Sequence, residues 1–542
     1  VEALIPYATG RVPLTFAKMC HVDFWTDRMA LDWDAIEEFP FFTDEERLMA
    51  VNFLVACAQY CQDSITYQKW RITDEDHQIF NHHTFPATGL FFSCLYLQRH
   101  GYRLPEMDGW LRKSLQVFAR AATAGRSFDE GGSGYNWLVG NHLLRVSLAA
   151  GDASYAASEK LCHYADLAAV IMNNARELVP YGDCGSYHIT GTGAGNILLR
   201  AAEWHHDAGY KWLAEQHAPQ AAASDVFTRE LPSAAPDKHL GLFVLTMDPV
   251  IHRWGRLPRF PGYPPPPLAP TVPPEQGFDK LSLRGGWEAT DDYLLLQGMG
   301  MGQHAHPDAN SILQYQARGR LFLAESDYIR RMPQQHNMVM VIRDGQHADI
   351  PVTARLDKAF EFSGGAFTQT TLPDYNGCDW QRTILWLRND CALVVDTLTA
   401  RQGGDYELRC TWRTLADTKL TDRGLHTVHD GEHFHVIEAT DSARRLDAEP
   451  PSVNSLNYPE YHFGAGIPQV LRETQHVRLA AGEQACFVNL LLPNGKVAAP
   501  RRQVRLHDGR VLLTGEGRSV VISSDGLEVE DAGSYVFAEG RR

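Results

Sequence analysis

The chain has 542 residues, a formal net charge of −16 at pH 7, 44% hydrophobic residues and 21% charged residues. This length predicts two or three domains, and the composition is ordinary for a globular protein. The acidic balance argues against a general nucleic-acid or anionic-membrane surface, because such surfaces need a basic face. No apolar run reaches the roughly 18 residues that a membrane span needs, and the first residues lack a signal pattern. The 10 cysteines form no Cys-x-x-Cys motif, so they leave the compartment open.

The first half of the chain has a helical period from Thr43 to about residue 216. Thr43 and Glu46 form a capping-box sequence ahead of apolar residues at three- and four-residue spacing, so we predict that a helix begins near Asp44. Loops rich in Gly, Pro and Asp separate further helical stretches. These stretches cover residues 89–98, 109–122, 136–149, 158–178 and 194–215. The spacing predicts antiparallel helical hairpins, and hairpins arranged in a ring would give the same pattern.

One polar stretch of the helical half holds a glycine-rich loop followed by a helix. The helix presents Asn141 and Arg145 one turn apart, with His142 beside them. From these residues alone, a capped helix with a buried and hydrogen-bonded histidine is the simpler interpretation. Asp129 and Glu130, just before the loop, are either a surface pair or a source of a catalytic acid.

The second half of the chain changes to a strand pattern after a proline-rich connection. Pro264 to Pro267 can be neither helix nor central strand, so residues 251–277 are predicted to be a connection. From residue 278 onward, short apolar runs alternate with turn signals, and Asp508-Gly509 predicts a hairpin. An antiparallel β-sandwich over residues 278–542 is the natural architecture for this pattern.

A polar stretch from Met299 to Ser311 lies between two apolar strand-like runs. His304 and His306 are two residues apart, so they point the same way on an extended chain. Two imidazoles, a carboxylate and a third histidine can supply the nitrogen and oxygen ligands of zinc. The later candidates are Glu325 or Asp327 for the carboxylate, and His336. With 24 histidines in the chain, a chance His-x-His remains the alternative.

Three segments of this half resemble the heparinase II/III-like polysaccharide lyases. They are His304-Ala-His-Pro-Asp-Ala-Asn-Ser, Gly319-Arg-Leu-Phe-Leu-Ala-Glu-Ser-Asp-Tyr, and His336-Asn-Met-Val-Met-Val. The resemblance implies a multidomain α+β chain, with an incomplete (α/α) toroid over residues 1–250 and an antiparallel β-sandwich over 278–542. It makes His304 catalytic and implies a structural zinc whose ligands are His306, Glu325 and His336. The family more often has Asp at the position of Glu325.

The resemblance extends to the helical half and assigns roles there. Asn141 and His142 look like the family's catalytic pair, and residues 183–195 resemble its Asp-Gly-Ser-Tyr loop. The family's catalytic tyrosine stands near the position of Ala194 or Gly195, where this chain has none, so Tyr187 is the nearest replacement. Residues that the resemblance places at the substrate are Asn81, His82, His83, Trp137, Arg145 and His188.

The activity implied by the resemblance is β-elimination of a glycan that contains uronic acid. The family members act outside the cell or in the periplasm, although a cytoplasmic location and a homodimer both stay open. Three alternatives remain. A glycoside hydrolase would use Asp129 or Glu130 with Asp308, a uronate epimerase would share the first proton abstraction, and a glycan-binding protein would need no catalytic histidines.

Overall fold

The computed structural model describes residues 22–67, 78–128, 134–183, 192–258, 264–266, 268–302, 304–325, 331–449, 467–516, 518–523, 526–529 and 533–536. These residues fall into two compact units. Unit 1 takes its described residues from 1–129, 135–162 and 249–267, and unit 2 takes them from 130–134, 163–248 and 268–542. The division at residues 250 and 277 stays a prediction. Within the described residues, no helix is both long and apolar enough to cross a membrane.

The helices of the described chain are numbered in order. Helices α1 to α10 are Thr26–Ile36, Asp44–Tyr67, Asn81–Arg99, Met107–Ala121, Tyr135–Ala149, Glu159–Ile171, Thr192–His205, Ala208–His217, Pro219–Ser224 and Pro249–Trp254. Unit 1 contains α1 to α5, α10 and the first residues of α6, and unit 2 contains the other helical residues.

Helix α3 is the centre of unit 1. It packs against α1, α2, α4 and α5, and most of its side chains are buried. Gly89 permits the close approach of α1, because a Cβ atom at this position would lie 2.8 Å from Cβ of Thr26. At the start of α2, the backbone N–H of Thr43 donates to Glu46 at 2.8 Å and the N–H of Glu46 donates back to Thr43 at 3.2 Å. The predicted capping box is therefore confirmed.

The described part of unit 2 contains three antiparallel sheets. Strands β1 to β11 are Gly241–Thr246, Phe278–Arg284, Tyr293–Gln297, Ile312–Ala317, Arg320–Leu323, Val339–Arg343, Arg355–Phe362, Gly365–Tyr375, Cys378–Leu387, Cys391–Ala400 and Gly404–Thr414. Strands β12 to β22 are Asp417–Thr421, Gly424–His429, Glu432–Glu438, Ala443–Ala448, Gln469–Leu479, Gln484–Gly495, Arg502–His507, Arg510–Gly515, Arg518–Ile522, Gly526–Val529 and Gly533–Val536.

The sheets of unit 2 stack in layers. The first sheet runs β1-β2-β3-β4-β5-β11-β16-β15, with β6 also paired to β11, and the second runs β12-β13-β14-β17-β10-β9-β8-β7. One apolar core joins side chains of both sheets, so they form the predicted sandwich. A third sheet, β18 to β22, shares a second core with the other face of the second sheet. The hairpin at Asp508-Gly509 is confirmed, and both residues have positive φ, as a tight turn requires.

Two predicted helices are shorter than their apolar pattern. Helix α6 ends at Ile171 instead of residue 178, and the predicted helix over 194–215 is broken into α7 and α8. The break has a local cause, since His206 has φ of 52°. Asp207 then caps α8 by accepting from the N–H groups of Gly209 and Tyr210.

The end of α6 is fixed by side chains from the first sheet. Arg284 of β2 donates to the carbonyl of Met172 and to the side chain of Asn174, and its guanidinium lies 4.0 Å from the Trp287 ring centroid. Tyr293 of β3 donates to the carbonyl of Val170 at 2.6 Å. The last carbonyls of a helix lack partners within the helix and attract positive charge. The sheet therefore supplies the C-terminal cap of α6 within unit 2.

A buried ion pair joins neighbouring strands of the second sheet. Arg382 of β9 donates to both carboxylate oxygens of Asp396, at 2.8 and 3.0 Å. Its Nη1 also donates to the carbonyls of Asn310 and Asn337, each at 2.9 Å. Arg382 thus ties the second sheet to two loops of the first sheet.

We expect Arg382→Met to lower the free energy of unfolding of unit 2 by about 3–5 kcal/mol, because it leaves the Asp396 carboxylate buried without its partner. Urea unfolding, followed by the fluorescence of the buried tryptophans, measures the change. The control is Arg478→Met, because Arg478 is 86% exposed beside Asp405 and exposed pairs contribute little. Equal stability of the two variants would contradict this role of Arg382.

Candidate functional site

The loop between β3 and β4 is folded by its own small and polar residues. Gly300 lies so close to the later part of the loop that a Cβ atom there would be 2.6 Å from the carbonyl oxygen of His306. Asn310 has φ of 71°, a left-handed conformation that asparagine tolerates better than most residues. Its side chain accepts a hydrogen bond from Thr370 at 2.6 Å. These contacts fix the direction in which His304 and His306 leave the backbone.

Asp183 is the centre of a cluster of side chains in unit 2. His304 Nδ1 lies 3.2 Å from Oδ2 of Asp183, and His306 Nε2 lies 3.0 Å from Oδ1. The guanidinium of Arg331 contacts Oδ2 as well. The backbone N–H of Asp183 donates to the carbonyl of His304 at 2.7 Å. One carboxylate therefore positions two histidines and one arginine.

The charge of Asp183 determines where the protons of this cluster lie. Burial raises the pKa of its carboxyl, but hydrogen bonds from His304, His306 and Arg331 outweigh burial and lower that pKa. An ionised carboxylate only accepts hydrogen bonds, so Nδ1 of His304 carries a proton. In a neutral His304 ring, Nε2 then has the lone pair. Burial lowers the pKa of His306, whose neutral ring donates through Nε2 and keeps its lone pair on Nδ1.

A second buried cluster lies beside the first. Ligand atoms of Asp308, Glu325 and His336 lie within 4.8 Å of one another. Burial lowers the pKa of His336, but attraction to Glu325 outweighs it and raises the pKa, whereas burial and the charge of Glu325 raise the pKa of Asp308 to about 7. Among the described residues, His336 Nε2 and Asp308 Oδ2 have no hydrogen-bond partner. Buried polar atoms without partners are costly, so these atoms are suited to binding a ligand.

The residues of this second cluster fit a zinc ion. One imidazole and two carboxylates are ligand types that zinc takes, and Asp308, Glu325 and His336 would hold it. The predicted ligand set had His306 instead of Asp308. The His306 ring centroid lies 5.4 Å from that of His336, and its hydrogen bond to Asp183 matches the outer hydrogen bond of a metal-bound histidine. Zinc at this position would cross-link the loops.

The residues predicted in α5 pack inside unit 1. His142 Nδ1 lies 2.9 Å from the hydroxyl of Thr84, and the ring is buried against Phe85. Burial, and secondarily the charge of Arg145, lower the pKa of His142 to about 3, so the ring is uncharged at neutral pH. Asn141 donates to the carbonyl of Trp137 at 2.7 Å.

Other predicted residues of unit 1 are also largely buried. Arg145 pairs with Asp27 at 2.7 Å. Asn81, His83 and Trp137 are buried, and His82 is half-buried at the start of α3. The substrate contacts assigned to these residues stay predictions, and His82 has the most accessible surface of the four residues Asn81, His82, His83 and Trp137.

Comparison with known proteins finds similar solved structures but no matching sequence family. No protein-family model matches the chain, and no curated protein matches it. The solved structure of heparinase III is similar, with a TM-score of 0.66 and 12% identity over 95% of this chain and 75% of that chain. The chain has a heparinase II/III-like fold. Heparan sulfate lyase HepC from Pedobacter heparinus is also similar, with a TM-score of 0.60 and 15% identity over 92% of this chain and 73% of that chain.

This heparinase II/III-like fold confirms the predicted resemblance at the level of structure. The combination of helices with antiparallel sheets is confirmed, and the ring arrangement of the helices stays a prediction. Several predicted residues lie outside the described part of the chain. They are Tyr187, His188, Asp129, Glu130 and Asp327.

Sequence reasoning gave no lyase role to three residues of the two clusters. Asp183 stands in the loop that resembles the family's Asp-Gly-Ser-Tyr loop, but its partners are 121 and 123 residues away. The sequence predicts a role for Asp308 only in the hydrolase alternative, although its place in the His304 motif is a usable signal. Arg331 follows another arginine before Met332-Pro333, and nothing in that sequence indicates an active-site role.

We expect elemental analysis of this protein to find about one zinc per molecule, and His336→Ala to lose it together with thermal stability. His306→Ala and Asp308→Asn decide the third ligand, because only the variant that removes a ligand should release zinc. The control is His507→Ala, because His507 is 85% exposed. Zinc-free wild-type protein, prepared without chelators, would contradict the metal site.

We also expect acid to destabilise unit 1 through His142. The ring of His142 has a pKa near 6.5 in the unfolded chain and about 3 in the folded chain, so between these pH values only the unfolded chain binds the proton. The contribution of His142 to the free energy of unfolding is therefore complete above pH 6.5 and is lost as the pH falls. His142→Gln should therefore reduce the loss of unfolding free energy between pH 6.5 and pH 4 by about 2–3 kcal/mol. Urea unfolding at a series of pH values measures it. The exposed control His507→Gln should keep the wild-type slope, and a wild-type slope in His142→Gln would refute the assignment.

Proposed function

We propose that this protein is a polysaccharide lyase that cleaves a uronate-containing glycan by β-elimination. The observation that carries the proposal is the pair formed by Asp183 and His304. An ionised carboxylate holds Nδ1 of His304 in its protonated form, so Nε2 of the neutral ring is the basic nitrogen. His304 is half-buried, so its ring reaches solvent while Asp183 does not. A ring in this state is suited to removing a proton from a bound sugar.

The proposed reaction begins with removal of the C5 proton and ends with loss of the O4 leaving group. His304 takes the proton from C5 of the uronate, and the electron pair of that C–H bond passes into the carboxylate as an enolate. The pair then forms the C4–C5 double bond, and the C4–O4 bond breaks. The leaving O4 takes a proton, and the products are a free hydroxyl and an unsaturated uronate. Asp183 stabilises the imidazolium that forms on His304, as a buried carboxylate does beside other catalytic histidines.

Other residues keep their proposed roles in the reaction. Asn141 and His142 are proposed to stabilise the negative charge that develops on the uronate carboxylate, His142 as a neutral hydrogen-bonding ring. Tyr187 is proposed as the proton donor to O4, either alone or sharing this work with His304. Zinc, held by the cluster around His336, would supply only structural support.

The substrate class follows from the uronate chemistry and from the charge of the chain. The structurally similar proteins carry the names heparinase III and heparan sulfate lyase, so glycans of that backbone are the first candidates. The net charge of −16 favours a substrate with sparse uronates, or a short oligosaccharide, over a densely sulfated one.

We expect a screen of uronate-containing glycans to give an ultraviolet-absorbing product with a conjugated double bond. His304→Ala should lower kcat by about 100-fold or more, because it removes the base, and Asp183→Asn should do the same by losing control of the tautomer. Both variants need wild-type secondary structure, as measured by circular dichroism. His507→Ala, at an exposed position, should keep the wild-type rate.

The products distinguish the remaining reactions. Cleavage that leaves a saturated sugar at the new non-reducing end would indicate hydrolysis, and a uronate inverted at C5 without cleavage would indicate epimerisation. A glycan that binds and is recovered unchanged would indicate a binding protein. An active His304→Ala enzyme would exclude the proposed base.

A further inference from the structure

Arg331 lies beside the proposed base, and its guanidinium is only partly used in binding Asp183. Its side chain is 45% exposed, and Asp183 is its partner through Nη2. Within the described residues, the structure gives Arg331 no other hydrogen bond or ion pair. The guanidinium has five N–H donors, so one contact with Asp183 leaves most of them for another acceptor.

Arg331 and His304 are held by the same carboxylate oxygen. Both contact Oδ2 of Asp183, and His304 does so at 3.2 Å. A group bound by the outward N–H donors of Arg331 is therefore near the His304 ring. In a uronate, the carboxylate is attached to C5, the atom from which a lyase removes its proton. An anchor for the carboxylate in this position brings that proton to the base.

The charges of the cluster change in step with this reaction. Asp183 carries −1 and Arg331 carries +1, so with both histidines neutral the cluster has no net charge. When His304 takes the proton, the cluster becomes +1 while negative charge moves onto the substrate carboxylate. Attraction between cluster and substrate is therefore stronger in the transition state than in the ground state, which is the condition for catalysis.

We propose that Arg331 binds the carboxylate of the uronate whose C5 proton His304 removes. This inference rests on the proposed lyase function. The planar guanidinium matches a carboxylate with two parallel hydrogen bonds, a geometry that lysine cannot reproduce. The ligand class is a sugar with a carboxylate on C5, and a neutral hexose lacks the group that Arg331 recognises.

The test measures binding and turnover in variants of the full chain. The probe is a hexasaccharide of alternating glucuronate and N-acetylglucosamine, together with its carboxyl-reduced form. In a His304→Ala background, Arg331→Gln should weaken binding of the native probe by about 10- to 100-fold, the range for losing a hydrogen bond to a charged group. Binding of the carboxyl-reduced probe should hardly change.

Two further variants separate recognition from a structural role. Arg331→Lys keeps the charge and loses the planar fork, so its binding of the native probe should lie between the wild-type and Arg331→Gln values. The control is Arg355→Gln, because Arg355 is 40% exposed and pairs with Asp357 as Arg331 pairs with Asp183. This control should bind both probes as the wild type does. With His304 intact, Arg331→Gln should lower kcat/KM on the native glycan by at least the factor lost in binding.

The outcomes are distinct. Equal weakening of both probes would mean that Arg331 only supports Asp183, and unchanged binding would remove Arg331 from substrate recognition. Either result overturns this inference while an unsaturated product from the wild type keeps the lyase function. Wild-type protein without any unsaturated product would overturn the lyase function itself, and a carboxylate preference that depends on Arg331 would then assign this residue to uronate binding alone.

Discussion

The buried pair of Arg382 and Asp396 is the constraint on which the site of unit 2 depends. Its guanidinium bonds the carbonyls of Asn310 and Asn337, which stand in the two loops that carry the histidines. Asn337 extends the connection, because its side chain donates to the carbonyls of Ile312 and Ala324, each at 2.9 Å. A buried ion pair is weak evidence for stability. Here its hydrogen bonds to the backbone show why a charged residue occupies an apolar core.

The loops held in this way meet at a carboxylate from a different part of the chain. Asp183 comes from the segment between α6 and α7, whereas His304 and Arg331 come from the sheet side of unit 2. A single buried charge would be costly, and three donors compensate for it. Because His304, His306 and Arg331 all bond the same carboxylate, their hydrogen bonds form together only in one arrangement of the side chains. This explains how segments that are distant in sequence are held in fixed positions at one site.

Local patterns explain what the sequence could predict. The capping box at Thr43, the strand alternation and the Asp508-Gly509 turn depend on residues a few positions apart, so they are visible without a structure. The end of α6 depends on Arg284 and Tyr293, more than 100 residues away, and no periodicity could reveal it.

The site shows the same limit. The motif around His304 marked the correct loop, and the resemblance marked the correct fold. The sequence contains no sign that Asp183 bonds both histidines, because pairing across more than 100 residues depends on the tertiary fold. Asp308 is predicted only as one carboxylate of a hydrolase pair, and its complete burial follows from the loop geometry.

The third sheet has a consequence for the handling of this protein. Its Val511 and Leu513 pack against Leu385 and Leu393, which line the outer face of the second sheet. Arg502, at the start of this sheet, pairs with Asp390 in the turn before β10. The third sheet therefore covers an apolar surface of the second sheet, and this surface contains no residue of either cluster. A shortened version ending before Arg502 would retain every residue of both clusters, yet it would expose this apolar face and tend to precipitate.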